Sequence, residues 1–305
     1  AIAHPPPGSD TGTALVIGII GDSGSGKKTV ADGVAQLLGP ERVTDILLDD
    51  YHRYTRAERA ELGLTPSTPL VHDLELMRSH LELLRQRKPI SNRTYDHSDG
   101  TFGPIRTIEA REIVLVHGLL GFPSPDLKRL YDLTVFLDPE PDLLFRWKLR
   151  RDVVFRGYTE AEVLKRIAAH LLDAKQYVLP QAQIADIVVG YNLPHWEAPD
   201  ADVLTTIRLR RRFARMVEES GSLQGLDAEI SREAEELVVR LPAGLNQETV
   251  DCWGRSRFGY RYDPEVVGRF YDEEGAPQRH PSLAVLEVLI ADLTERLKAE
   301  REAQE

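Results

Sequence analysis

The sequence has one cysteine and no long apolar run. Cys252 stands alone in 305 residues, which excludes an internal disulfide, a paired-cysteine redox centre and a cysteine-based zinc site. No segment reaches the roughly 18 consecutive apolar residues of a membrane helix, and residues 1–13 lack the basic flank and apolar stretch of a signal peptide. We therefore expect a cytoplasmic protein without a membrane partner.

Positive charge is also in short supply. The chain has 38 Lys and Arg against 49 Asp and Glu, a net charge of −11. A general nucleic-acid binder needs a basic surface to neutralise phosphates, so nucleic acid is not expected as a partner. The 42% of hydrophobic residues can fill a sizeable core, which excludes disorder as the overall state. Any phosphate ligand must be bound by a local cluster of cations.

Short apolar runs alternate with helical segments between residues 14 and 190. The runs are ALVIGII, DILLD, IVLVHGLL, LTVFLD and ADIVV, and helical patterns follow the first run, span about residues 73–87 and continue through Arg151. Continuous apolar strands separated by helices are typical of a parallel sheet covered on both faces. We predict an α/β three-layer sandwich with a mostly parallel central sheet.

The pattern changes after residue 190. TTIRLR and ELVVRL are predicted strands, and a long helix is expected from Pro281 to the end. Residues 253–263, WGRSRFGYRYD, are interpreted as a β-hairpin, with a base-stacking surface as the alternative. The prediction therefore has three parts: a flexible arm over 1–13, a core over 14–190, and a C-terminal extension over 191–305 that packs on or extends the core sheet. The sequence leaves the oligomeric state open, and a homo-oligomer is compatible with the extension.

The strongest motif is GDSGSGKKT, directly after the first apolar run and before a helix. Its glycines allow the backbone to form a nest of N–H groups around a β-phosphate, and Lys27 supplies charge to the β and γ oxygens. The glycine spacing does not match the GxGxxG of dinucleotide-binding folds. We predict a P-loop NTPase-type sandwich that binds ATP through Gly21, Asp22, Ser23, Gly24, Ser25, Gly26, Lys27, Lys28 and Thr29.

One position of this motif departs from the pattern. After Gly-Lys the motif requires a Ser or Thr hydroxyl on Mg²⁺, and this chain has Lys28. Two interpretations stand. In the first, Lys28 turns outward, a water takes the metal position and Thr29 bonds the α-phosphate. In the second, metal binding is weak and the chemistry is slow.

Two carboxylates end the second apolar run, in LLDDYHR at residues 47–53. Ligands of open α/β sheets bind at the carboxyl ends of the strands. A carboxylate there can accept the proton of an attacking hydroxyl during phosphoryl transfer, and the alternative is a turn or helix-capping carboxylate.

Two further segments carry candidate binding residues. RTYDHSDGTFGP, residues 93–104, is predicted to be an ordered loop that presents Tyr95, Asp96 and His97 to a polyhydroxylated substrate. WKLRRDVVFRGYT, residues 147–159, is predicted to be a basic helix followed by a lid hinge. Its Arg150, Arg151 and Arg156 are candidate phosphate clamps, and a solvated surface is the alternative.

The order and spacing of these motifs, with HGLLGF, YDLTVFLDPE and YVLPQAQIADIVV, resemble the phosphoribulokinase and uridine kinase family over residues 14–190. The DDYHR and YDHSDGTFGP segments are more similar to the sugar-phosphate loops of the phosphoribulokinases than to a nucleoside pocket. The resemblance implies Mg²⁺ and ATP-dependent phosphorylation of the 1-hydroxyl of ribulose 5-phosphate. A uridine or cytidine kinase is the alternative.

The resemblance also implies residue roles. Asp49 corresponds to the catalytic base and is the candidate metal ligand, Lys27 to the phosphate-binding lysine, and Asp152 to the acidic residue of the lid motif. The residues that correspond to the sugar-phosphate site, together with the basic lid residues, are His52, Arg56, Tyr95, His97, Arg151 and Arg156.

Three departures from the family pattern favour a further alternative. Lys28 replaces the metal-binding hydroxyl, His117 stands where a Glu is usual, and residues 170–172 replace a more polar stretch. Imidazole is a poor ligand for Mg²⁺, which prefers hard oxygen donors. A nucleotide-binding member of the family with impaired catalysis is therefore kept beside the two kinase hypotheses.

Overall fold

The computed structural model describes residues 12–272 and 275–304, so residues 1–11 of the predicted flexible arm lie outside the described residues. Twelve strands form within the described ranges. Their bounds are β1 Leu15–Gly21, β2 Val43–Leu47, β3 Ile90–Tyr95, β4 Phe102–Ile108, β5 Ile113–Gly118, β6 Leu133–Pro139, β7 Ile187–Asn192, β8 Leu204–Arg210, β9 Glu229–Glu233, β10 Glu236–Leu241, β11 Arg269–Tyr271 and β12 Pro277–Arg279.

Eight of these strands form one sheet, in the order β2-β5-β1-β6-β7-β8-β10-β9. The first five pair in parallel, and they are the five apolar runs predicted from the sequence. The last three continue the sheet in antiparallel pairing, so the C-terminal region adds strands directly to the core sheet. The predicted mostly parallel α/β sheet is confirmed.

Helices cover both faces of the sheet. Their bounds are α1 Lys27–Leu38, α2 Arg56–Glu61, α3 Leu74–Arg85, α4 Pro125–Lys128, α5 Pro141–Arg150, α6 Glu160–Asp173, α7 Arg211–Ser220, α8 Gln247–Phe258 and α9 Pro281–Glu302. Alternate residues of β1 explain the layering, because Ile17 and Ile19 pack with α1 and α9, whereas Val16 and Ile20 pack with α3 on the other side. The predicted three layers are therefore present.

The hairpin predicted at residues 253–263 is wrong. This segment belongs to α8 and a following short 3₁₀ turn. The buried residues Val250, Trp253, Gly254 and Phe258 recur at helical spacing, and Asn246 caps the helix by accepting from the Thr249 N–H. The Arg and aromatic alternation that suggested a strand is the surface between those buried positions.

The loop predicted over residues 93–104 is also wrong at both of its ends. Residues 93–95 belong to β3 and residues 102–104 to β4, two strands that form a separate antiparallel hairpin. Only the connection between them is a turn, in which Asp96 accepts from the Ser98 N–H and Asp99 from the Thr101 N–H. The turn chemistry was visible in the sequence, and the short strands beside it were hidden by polar residues.

The long C-terminal helix is confirmed as α9, and most of its length is interior. Buried residues run from Ser282 to Leu297 on several faces, packed against α1 and α8. Its far end is joined to the core by the ion pairs Arg42–Glu295 and Arg301–Asp132, at 2.7 and 2.6 Å. Within residues 12–272 and 275–304, no helix has the length and apolar character needed to cross a membrane.

Candidate active site

The GDSGSGKKT segment adopts the predicted strand, loop and helix. β1 ends at Gly21, where an added Cβ would lie 2.6 Å from the Leu137 carbonyl oxygen. Gly24 and Gly26 have φ angles of 85° and 86°, a left-handed backbone that glycine adopts without strain. Lys27 is the first residue of α1, so the loop N–H groups and the helix N-terminus face the same cleft.

A buried ion pair fixes this loop to the base of the lid. Asp22 Oδ2 lies 2.6 Å from Lys148 Nζ on α5, and the side chains are 8% and 11% exposed. The other oxygen, Oδ1, accepts from the Ser23 N–H at 2.6 Å. Sequence reasoning missed Lys148, because nothing in the sequence showed which face of its helix meets the loop.

Lys27 is a cation held in a dehydrated site. Its Nζ donates to the Asp22 carbonyl oxygen at 2.7 Å. Burial lowers the pKa of Lys27 from 10.5 to about 8, although the charges of Asp22 and Asp49 oppose the shift. A bound phosphate would supply the missing counter-charge.

Lys28 turns away from the loop, as the first interpretation of this position expected. Its side chain is 65% exposed and pairs with Asp32 one helical turn later, at 2.5 Å. Thr29 lines the cleft. The loop thus offers a hydroxyl one residue later than the motif requires, and the effect on metal binding stays a prediction.

His117 is buried at the carboxyl end of β5. Its Nε2 lies 3.0 Å from Asp45 Oδ1, a pairing distance at which the oxygen lies outside the hydrogen-bonding direction of the ring. Burial raises the pKa of Asp45, and the neighbouring His117, with Lys28 and Arg106, brings it below its ordinary value. An imidazole paired with a carboxylate therefore occupies the position where the family pattern has Glu.

Asp49 follows β2 in a short 3₁₀ turn and faces the cleft. Its Oδ2 lies 3.2 Å from His97 Nε2, while the buried Oδ1 has no hydrogen-bond partner among the described residues. Burial raises the pKa of Asp49, but the His97 hydrogen bond and the charges of nearby histidines outweigh it and hold the pKa well below its ordinary value. Asp49 is therefore ionised at neutral pH, with one oxygen able to accept a proton or bind a cation.

The carboxylates of the cleft fit a magnesium ion only as a partner of bound phosphates. No group of three or more metal-ligating side chains gathers anywhere in the part of the chain that the structure describes. The orphaned Oδ1 of Asp49 is the suitable hard donor, whereas His117 and the outward Lys28 supply none. Mg²⁺ commonly keeps several waters and takes one or two carboxylates plus substrate phosphates, and this donor set is compatible with that arrangement.

Aromatic and basic side chains surround Asp49 on the hairpin side. His52 is buried with its ring 4.9 Å from the Tyr95 ring, and burial lowers the pKa of His52 to about 3, so it is neutral. The Tyr95 hydroxyl accepts from Arg59 Nη2 at 2.7 Å. Arg56 donates to the His97 carbonyl oxygen at 2.5 Å. Four predicted substrate residues thus lie around one cleft, together with Arg59, which no motif had indicated.

The lid segment supplies the remaining predicted residues. α5 continues into a π-helix over Arg151–Phe155, in which buried Asp152 pairs with Arg151 at 2.8 Å and Arg156 at 3.2 Å. Burial raises the pKa of Asp152, and these two arginines outweigh it and lower the pKa. Arg151 also donates to Ser23 Oγ at 3.1 Å, which links the lid to the phosphate loop. Arg150 instead pairs with Asp200 at 2.5 Å, so its charge is already compensated.

All these residues line a single cleft of about 620 Å³. It also contains Arg166 and His170 of α6, which belonged to no quoted binding motif. Burial, with the charges of Arg166 and Lys148, lowers the pKa of His170 to about 4. A glycine-rich loop with its lysine, at the carboxyl edge of a parallel sheet and opposite an ionised carboxylate, defines a P-loop kinase.

The chain belongs to the Phosphoribulokinase / Uridine kinase family, whose sequence model matches residues 16–194. It is 34% identical to a phosphoribulokinase of Synechocystis over 175 residues, 57% of this chain and 53% of that protein. It is 32% identical to a uridine kinase of Chloroflexus aurantiacus over 180 residues, 57% of this chain and 85% of that protein. The chain thus spans about half the length of the curated phosphoribulokinases it matches.

The fold likeness extends further than the sequence likeness. The solved structure of a phosphoribulokinase from Rhodobacter spheroides superposes with a TM-score of 0.66 at 19% identity, over 95% of this chain and 99% of that one. The C-terminal strands and helices therefore belong to a shared fold. Members of the family are kinases that transfer a phosphoryl group to an alcohol.

Proposed function

We propose that this protein transfers the γ-phosphoryl group of ATP to the 1-hydroxyl of ribulose 5-phosphate. The observation that carries the proposal is the ionised Asp49, whose free oxygen faces the same cleft as Lys27 and the phosphate loop. A hydroxyl placed against that oxygen would lose its proton as it attacks the phosphorus. The cytoplasmic location and the magnesium requirement belong to the same proposal.

The acceptor side supports a phosphorylated sugar over a neutral one. Arg56 and Arg59 lie on α2 beside the β3–β4 hairpin, and Arg156 and Arg166 line the opposite, lid side of the cleft. Guanidinium groups bind phosphate through paired N–H donors, so the cleft provides cations beyond those needed for the nucleotide. A nucleoside acceptor carries no charge that would require them.

The chain's own residues divide the work. The loop N–H groups and Lys27 would hold the β- and γ-phosphates, and Arg151 would add charge from the lid. Asp49 would accept the hydroxyl proton, with His97 keeping its carboxylate oriented. Asp152 would act by fixing Arg151 and Arg156. Bound Mg²⁺, held by phosphates, waters and Asp49, would neutralise charge on the nucleotide.

The direct test is initial-rate ADP release from ATP and Mg²⁺ with ribulose 5-phosphate, compared with uridine and cytidine at equal concentration. The proposal predicts turnover with the sugar phosphate at a rate at least about a hundredfold above the Asp49→Asn variant, the low end for losing a general base. An exposed carboxylate on α1, Asp32, provides the matched control, and Asp32→Asn should retain the rate. Absent turnover with ribulose 5-phosphate rejects the proposal.

A uridine or cytidine kinase is the second candidate. It is favoured by the Chloroflexus aurantiacus relative, of which this chain covers a larger share than of any phosphoribulokinase described above. It predicts turnover with uridine or cytidine in the same assay and none with ribulose 5-phosphate. Nucleotide binding without transfer to any acceptor would instead support the catalytically impaired member that Lys28 and His117 suggested.

A further inference from the structure

The cleft continues beyond the phosphate loop to a second end that is largely apolar. Trp147 of α5, Tyr191 of β7 and Val203 line it from one side. Phe270, His280 and Leu283 of the C-terminal region line it from the other. The family match stops at residue 194, so this second wall is built by a part of the chain outside the match.

His280 is the unusual member of that wall. It lies directly before α9, is 8% exposed, and its backbone N–H donates to the Gly268 carbonyl oxygen at 2.8 Å. The Phe270 ring packs against it at 6.2 Å. Its Nε2 is buried and finds no partner within residues 12–272 and 275–304. A buried polar atom without a partner costs free energy unless a ligand satisfies it.

The protonation of this ring follows from its other contact. Burial lowers the pKa of His280, so the ring is neutral, while a hydrogen bond to the Ala201 backbone acts in the opposite direction. A backbone bond that raises a histidine pKa is one that the carbonyl accepts, so the ring donates to it. Because Nε2 has no partner, the donor is Nδ1–H, and Nε2 carries the lone pair.

We propose that His280 Nε2 accepts a hydrogen bond from the 6-amino group of the adenine ring of the phosphate donor, and so selects ATP over 6-oxo purine triphosphates. The inference rests on the nucleotide site of the proposed function. Apolar side chains of Val203 and Leu283 would contact the faces of a planar base, and an amino group at its edge would satisfy the one buried atom left open at this end of the described cleft.

The other polar groups near this end are already engaged. Asp200, which also lines the cleft, is paired with Arg146 and Arg150 and accepts from the Trp147 indole N–H at 3.2 Å. His280 is also unable to adapt to a 6-oxo group, because its single ring proton is held by the Ala201 carbonyl. An oxo group would place two acceptors face to face in a dehydrated site, which weakens binding by about tenfold to a hundredfold.

The test measures nucleotide binding alone, by equilibrium dialysis without any sugar or nucleoside acceptor. Wild-type protein should bind ATP at least about tenfold more tightly than inosine triphosphate. Purine riboside triphosphate, which lacks the 6-amino group, should also bind more weakly than ATP. His280→Ala should bind all three within about threefold of one another, and the exposed His195→Ala should keep the wild-type preference. These results would support the inference.

Equal wild-type affinities for ATP and inosine triphosphate would overturn it, and so would a preference that survives in His280→Ala. If His280→Ala does not fold, the purine riboside arm decides on wild-type protein alone. A preference for ATP over 2′-deoxy-ATP with no loss for purine riboside triphosphate would assign Nε2 to the ribose and also overturn the inference.

Failure of the proposed function gives a different pattern. An ATP preference that depends on His280, without transfer to ribulose 5-phosphate, would leave this inference standing and reject the sugar-phosphate acceptor. Transfer to ribulose 5-phosphate with equal binding of ATP and inosine triphosphate would do the reverse.

Discussion

The buried Asp22–Lys148 pair should anchor the phosphate loop, and Lys148→Met tests this. The substitution keeps the apolar stem of the side chain and removes the ammonium 2.6 Å from Asp22 Oδ2. Asp22 would then be a carboxylate, 8% exposed, with only the Ser23 N–H as a close donor. We expect the free energy of unfolding to fall by about 3 kcal/mol, the low end for breaking a buried pair, because Lys27 and Arg151 lie nearby.

A double-mutant cycle separates this pair from general damage. Asp22→Asn/Lys148→Met removes both charges, so its loss should be smaller than the sum of the two single losses by about 2 kcal/mol. The exposed pair Arg78–Glu82, with side chains 58% and 45% exposed, is the control, and Arg78→Met should cost no more than about 0.5 kcal/mol. Urea unfolding followed by circular dichroism provides the values. Additive single losses, or a loss below about 1 kcal/mol for Lys148→Met, would refute the reasoning.

Three other predictions concern the chemistry. Asp49→Asn should lower kcat by about a hundredfold to ten-thousandfold and change the Kd of ATP by less than about threefold, and an equal loss in ATP binding would point to misfolding instead. Because burial lowers the pKa of Lys27 to about 8 and phosphate favours its charged form, ATP affinity should be constant below that pH and fall above it, by at most tenfold per pH unit. Binding titrations should show no such fall in Lys27→Arg, and a pH-independent wild type would contradict the assignment. Lys28→Ser should change unfolding stability by less than about 1 kcal/mol, because it removes only an exposed pair with Asp32. The same variant should lower the Mg²⁺ concentration for half-maximal rate by about tenfold if the new hydroxyl reaches the metal, and an unchanged value would show that the outward lysine had left the metal unaffected.

The central sheet was predictable because its strands are buried on both faces. A strand such as β1, in which every residue is buried, must be a continuous apolar run, and such runs are visible without tertiary information. The phosphate loop was predictable for a related reason, since its glycines are required by the left-handed backbone at Gly24 and Gly26. Both signals are local in the sequence.

Features that depend on tertiary contacts were not predictable. α8 was mistaken for a hairpin because its buried face is formed by four residues scattered among exposed arginines. The partner of Asp22 is separated from it by 126 residues, and the wall containing His280 follows the nucleotide loop by more than two hundred. Sequence order does not show which side chains such folding brings together.

The resemblance in the core guided the site better than the composition did. The net charge of −11 disfavours anionic ligands for the whole surface, yet Lys27, Arg56, Arg151, Arg156 and Arg166 all line one cleft. Local fields in a cleft of low dielectric decide ligand charge, and net charge does not.

Transfer of labelled phosphate tests the central claim most directly. Incubation of the protein with γ-³²P-labelled ATP, Mg²⁺ and ribulose 5-phosphate should move the label to a sugar bisphosphate, and phosphorus NMR of the unlabelled product should place the new ester at carbon 1. Label that remains in ATP, or that moves to uridine and not to the sugar phosphate, would contradict the account.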